Sequence, residues 1–175
     1  MIFEQPLVVI QDETPMYVTM YSIACAYAHS GTLVESFGKK RGKVAFTFPA
    51  AVCQSFAIEL FLKFFFVVDF PEIRSKNDLK KHNVILKPPG SKGHGYSALW
   101  DMISPNYQDQ IAQQARATKQ QFRQQLLDIG DDPFVKWRYI HEDDGIHLLP
   151  LGMIKGVADA LGYAAEGVMK ERRKK

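Results

Sequence analysis

Glu59, Lys63, His94, Arg138 and His141, with Tyr139 and Glu142 beside the last two, are the side chains of this sequence best placed to do chemistry. Glu59 and Lys63 are four residues apart, which puts them on one face of a helix with Ser55 a turn earlier. They form either an i,i+4 pair at the surface or, because the residues around them are apolar, a buried pair beneath a binding site; a buried charge without a partner is expensive. We expect Glu59 or Lys63 to meet Arg138, His94 or Glu142 in a polar network. Arg138 and His141 share a face if their segment is helical, which suits phosphate binding; a salt bridge from that segment to Glu142 or Glu59 fits the same residues. His94 follows Gly93 and precedes a helix start, a place for a capping or loop-anchoring residue as much as for a catalyst. The run from His141 to His147 holds metal-binding residue types without a recognised spacing, so no metal or other cofactor is expected. Cys25 and Cys53 lie in apolar stretches that raise a thiol's pKa, which disfavours nucleophilic catalysis.

The element that must position these groups runs from Phe46 to Phe70, apolar on almost every side. A helix apolar all round has to be surrounded by other helices. A membrane span has the same composition, but Gln54, Glu59 and Lys63 sit in the middle of the run. Each ionised group near a bilayer centre costs about 2.5–3.5 kcal/mol on insertion scales. The run reads as the core helix of a soluble protein, and no membrane is expected among its partners.

Other elements follow in chain order. Leu7-Val8-Val9-Ile10 fits a strand or a packed tail equally. Thr14-Pro15 is a cap followed by a first-turn proline, and the helical spacing of Met16, Met20, Ile23 and Tyr27 predicts a helix that can reach Phe37, with Gly38 as its left-handed cap. Pro71 closes the central run, and most of Glu72 to Gly95 reads as a loop with Val84-Ile85-Leu86 as its anchor. A short helix starts near Ser97. Ser104-Pro105 opens one amphipathic helix, with Tyr107, Ile111, Ala115, Thr118, Phe122, Leu126 and Ile129 on its dry face and Gly130 at its end. Phe134 to Glu142 fits a short helix or an irregular segment. The last helix spans Leu148 to Lys170 with Leu151, Ile154, Ala158, Leu161, Ala165 and Val168 as its buried stripe, and Gly152, Gly156, Gly162 and Gly167 within it call for compensation, either close packing against the central helix or a partner subunit.

A chain of 175 residues, 46% hydrophobic and 23% charged, is one domain by its size. Its net charge of +3 owes much to residues 170–175, a basic tail expected to fray, so a dedicated nucleic-acid binder is not indicated. Two cysteines in apolar stretches fit a reducing cytoplasm, and Glu4 without a basic leader argues against a signal peptide. No phosphate-cradling glycine loop or paired-carboxylate spacing supports a small-molecule enzyme.

Three segments taken together resemble bacterial HEPN-domain proteins: Ala57-Ile58-Glu59-Leu60-Phe61-Leu62-Lys63, Lys92-Gly93-His94-Gly95-Tyr96-Ser97-Ala98-Leu99, and Trp137-Arg138-Tyr139-Ile140-His141-Glu142. The resemblance covers roughly residues 45–170 and rests on the order and spacing of the segments. It implies an all-α, up-and-down bundle of four to five helices, similar to the C-terminal domain of kanamycin nucleotidyltransferase. It also implies a homodimer that binds RNA, a nucleotide or a partner protein, including a nucleotidyltransferase-type partner, in a toxin–antitoxin or defence setting. Many HEPN domains are metal-independent ribonucleases in which a histidine moves the 2′-hydroxyl proton and an arginine stabilises the phosphorane charge. Their arginine and histidine are separated by a longer spacer than the two residues between Arg138 and His141, whereas His147 follows Arg138 after eight. The expectation is therefore a binding module; its alternative is a divergent ribonuclease using Arg138 and His141.

Overall fold

A computed structural model describes residues 14–86, 95–130 and 149–174, and among these the chain is helical with no strand. Seven α-helices are present: α1 Met16–Lys40, α2 Thr47–Val67, α3 Lys76–Lys81, α4 Tyr96–Met102, α5 Pro105–Gln114, α6 Lys119–Ile129 and α7 Leu151–Arg172, with a 3-10 turn at Val44–Phe46 before α2.

The phenylalanine-rich α2 is the centre of the bundle, as its composition demands. Ile58, Phe61, Leu62 and Phe64 are wholly inaccessible, and 67% of the apolar stretch that could span a bilayer is buried within the protein. α1 runs antiparallel along it. Tyr17 meets Phe64, Tyr21 meets Phe61, Tyr27 meets Phe56 and Phe37 meets Phe46, so partners advance along one helix as they retreat along the other. Gly31 makes the approach possible: a Cβ there would stand 2.9 Å from the Gln54 side chain and 3.0 Å from the Ala50 carbonyl oxygen. α7 returns parallel to α2, with Leu151 beside Thr47 at one end and Arg172 bonded to Asp69 at the other. Its buried stripe contains the expected Ile154, Ala158, Leu161, Ala165 and Val168, while Leu151 is only partly buried. α4 and α6 close another side, where the Trp100 and Phe122 rings lie 4.9 Å apart.

Several expectations need correction. The all-helical bundle is present, but with more helices than four to five, for two local reasons. The polar stretch after Pro71 contains α3, started by a capping box in which the Ser75 hydroxyl accepts from the Asp78 amide and the Asp78 carboxylate accepts from the Ser75 amide. Its Leu79 completes a second apolar cluster with Val67 and Ile73. The single helix expected from Ser104 to Gly130 breaks into α5 and α6 at Arg116, which takes a left-handed φ of 51°, and α6 restarts at a Thr118–Gln121 capping box. Gly130 ends it with φ 101°.

Gly38 is not the left-handed cap of α1. It lies inside the helix, where a Cβ would meet the Phe46 Cβ at 2.7 Å, and Gly42 takes the positive φ instead. A Cβ at Gly152, Gly156 or Gly167 would meet nothing within 4 Å, so close packing on α2 does not offset the cost of these three, while Gly162 is buried. The buried small residues of α7 include Ala158, Ala160, Ala164 and Ala165. The basic end is helical to Arg172, which is tied to Asp69, rather than frayed from residue 170.

Candidate functional site

Apolar packing around α2 leaves a few polar groups inside the bundle. Gln54, Ser55 and Glu59 are all buried, Glu59 at 4% exposure. Lys63 reaches back one turn and donates from Nζ to Glu59 Oε1. The i,i+4 geometry that the sequence predicts is thus present, and its setting is the interior: the Lys63 side chain is 14% exposed and that of Glu59 5%. Desolvating both charges costs several kcal/mol per ion before their attraction is counted. The pair is a costly feature for a core helix to keep.

Gly95 and Tyr96 start α4 at the same stretch of α2. Gly95 is the N-cap residue of α4, and the buried Tyr96 hydroxyl donates to the Ser55 carbonyl oxygen, one turn before Glu59. Ser97 is also buried. The start of α4 is therefore pinned to the polar stretch of α2 by the residue that follows the Gly-His-Gly sequence. On the opposite side, Gln54 Nε2 donates to the Ala28 carbonyl at 2.9 Å and to Thr32 Oγ1 at 3.2 Å, joining α1 to the stretch.

His94, Arg138, Tyr139, His141 and Glu142 lie outside the described residues, and so does the expected meeting of Glu59 or Lys63 with them. Among the described residues no group of three or more histidine, cysteine or carboxylate side chains has metal-binding proximity. Both cysteines are poor nucleophiles in their surroundings. Burial pushes the Cys25 thiol up to about 11, only partly offset by the Tyr21 hydroxyl beside it, and burial raises Cys53 as well.

Two polar groupings were not foreseen. Tyr21 and Cys25 form a buried pair on α1, with the Tyr21 hydroxyl held protonated far above its usual range, mainly by burial. Asp69 accepts from both the Tyr107 hydroxyl at 2.8 Å and Arg172 at 2.6 Å, joining the ends of α2, α5 and α7. The i,i+4 spacing of Tyr21 and Cys25 was a readable signal; Asp69 and Arg172, 103 residues apart, carry none. Comparison with protein-family models, with curated proteins and with solved structures finds no match to this chain.

Proposed function

We propose that this protein is a HEPN-like helical-bundle binding module that takes RNA, a nucleotide or a partner protein, acts as a homodimer, and serves a toxin–antitoxin or defence system in the cytoplasm. One observation carries the reading: a charged pair, Glu59 and Lys63, is kept inside an otherwise apolar helix, and the Gly-Tyr start of α4 is fastened to that helix one turn away. Buried ion pairs are weak contributors to stability and are often replaceable by apolar residues without loss. Their retention beside an ordered helix start supports a role in organising a binding surface. The order of the three sequence segments supports the HEPN assignment, and the short Arg138–His141 spacing supports binding over cleavage.

Incubating the purified chain with RNA, followed by gel analysis, tests this. The proposal expects RNA of unchanged length. Cleavage that Arg138→Ala or His141→Ala abolishes would replace it with the alternative, a divergent metal-independent ribonuclease.

A further inference from the structure

We propose that the tip of the α1–α2 hairpin docks on an anionic phospholipid bilayer surface. The tip carries four cations in five residues, Lys39, Lys40, Arg41 and Lys43 around Gly42. Lys39 is paired with Glu35 at 2.5 Å. Lys40, Arg41 and Lys43 have no carboxylate partner among the described residues.

Large apolar side chains stand beside these charges. Val44, at 76% exposure, is the most exposed large hydrophobic residue described, and Leu33 and Phe37 are 56% and 44% exposed. Leu33 and Phe37 lie four residues apart on one face of α1, and from just past its end the Arg41 guanidinium lies 4.3 Å from the centre of the Phe37 ring. Behind them an apolar groove of about 430 Å³ opens between Leu33, Val34, Phe37 and Phe46. The tip is held in shape by Gly42 at φ 62° and by the Lys43 amide, which donates to the Gly38 carbonyl at 3.0 Å.

Charge and chemistry choose the occupant. Uncommitted cations interleaved with exposed aliphatic side chains match a surface that is negative at the headgroups and apolar just below them. RNA matches the cations less fully: the one exposed ring beside them, Phe37, already carries the Arg41 guanidinium, and Leu33 and Val44 offer a base nothing to stack on. Val44, the most exposed of these side chains, is free to enter the headgroup boundary, and the groove offers an apolar wall to an acyl chain. This is a surface contact by the tip of the hairpin, not a span, and it departs from the sequence expectation of no membrane partner. It does not depend on the Glu59 pair, which lies 13 residues beyond Phe46 along α2, about 20 Å at 1.5 Å per residue.

Co-sedimentation of the full chain with phosphatidylcholine vesicles, with and without phosphatidylserine, tests the proposal. The chain should pellet with the phosphatidylserine vesicles at low salt, remain in solution with phosphatidylcholine alone, and be released by added salt. Lys40→Glu/Lys43→Glu should weaken binding about tenfold or more, and Leu33→Gln/Val44→Gln about tenfold. Both pairs are exposed, and thermal melts followed by circular dichroism report whether each variant is folded; the charge variant decides if the apolar one is not. Failure to pellet with phosphatidylserine vesicles overturns the proposal. So does undiminished binding by folded Leu33→Gln/Val44→Gln, or retention of RNA through the same cations with no binding to vesicles.

Discussion

The Tyr96 hydroxyl of α4 donates to the Ser55 carbonyl of α2 across 41 residues of chain, and so fixes a helix start against the polar stretch of the central helix. Tyr96 is 1% exposed, so water does not replace the bond when it is lost. Tyr96→Phe keeps the ring and removes the donor. It should cost about 1 kcal/mol in urea unfolding, whereas Tyr96→Ala should cost about 3–5 kcal/mol because the ring's volume is lost as well. A Tyr96→Phe variant as stable as wild type would show that the hydroxyl contributes nothing.

The break between α5 and α6 makes two opposite predictions. Arg116 holds a left-handed φ of 51°, which an arginine adopts at a cost and a glycine does not. Arg116→Gly should leave stability unchanged or raise it by up to about 1 kcal/mol. Thr118→Ala removes the hydroxyl that accepts from the Gln121 amide at 3.2 Å and should lower stability by about 1 kcal/mol. Thermal unfolding of the two variants side by side checks the pair of signs.

Much of the fold was legible because burial imposes a period. The continuous apolarity of α2 and the stripe of α7 translate directly into observed buried faces, whereas α1 is a helix as expected but buries Tyr21, Ala24, Cys25, Ala28 and Gly31 in place of the Met16, Met20, Ile23 and Tyr27 row, of which Tyr27 is 39% exposed. The break after Ala115 escaped because its dry face continues on both sides, from Ile111 to Phe122, and periodicity alone does not register one residue turning left-handed. The local sign was there in Thr118-Lys119-Gln120-Gln121, a capping box, and in the matching Ser75-Lys76-Asn77-Asp78 before α3. Gly152, Gly156 and Gly167 of α7 misled because sequence counts their cost without showing which face they occupy. For the site, the Glu59–Lys63 pair was readable from spacing, and its burial from the apolar company it keeps. The Tyr96–Ser55 bond joins residues far apart in sequence, and no local pattern announces it.

Alkaline pH should weaken the fold through α1. The ordinary Cys25 thiol value of 9.0 is pushed up to about 11, chiefly by burial, and Tyr21 beside it is raised in the same sense. The folded state therefore holds a proton that the unfolded chain releases earlier. This contribution is fully present below pH 9 and is lost as pH rises through about 11, with a slope approaching about 1 kcal/mol per pH unit from the thiol. Urea midpoints measured across that range should fall, and Cys25→Ala should flatten the fall. At neutral pH the native thiol should resist alkylation by iodoacetamide and react once the chain is unfolded.

The central claim is that Glu59 and Lys63 are kept inside α2 for binding and not for stability. Urea unfolding of wild type, Lys63→Met, Glu59→Leu and the double variant tests it most directly. Lys63→Met takes the Nζ donor from a carboxylate that is 4% exposed and should cost about 3 kcal/mol, while the double variant, which replaces both members of the pair by apolar side chains, should return to within about 1 kcal/mol of wild type or exceed it. A double variant as unstable as Lys63→Met, or more so, would show that the pair holds the bundle together, and would contradict the account.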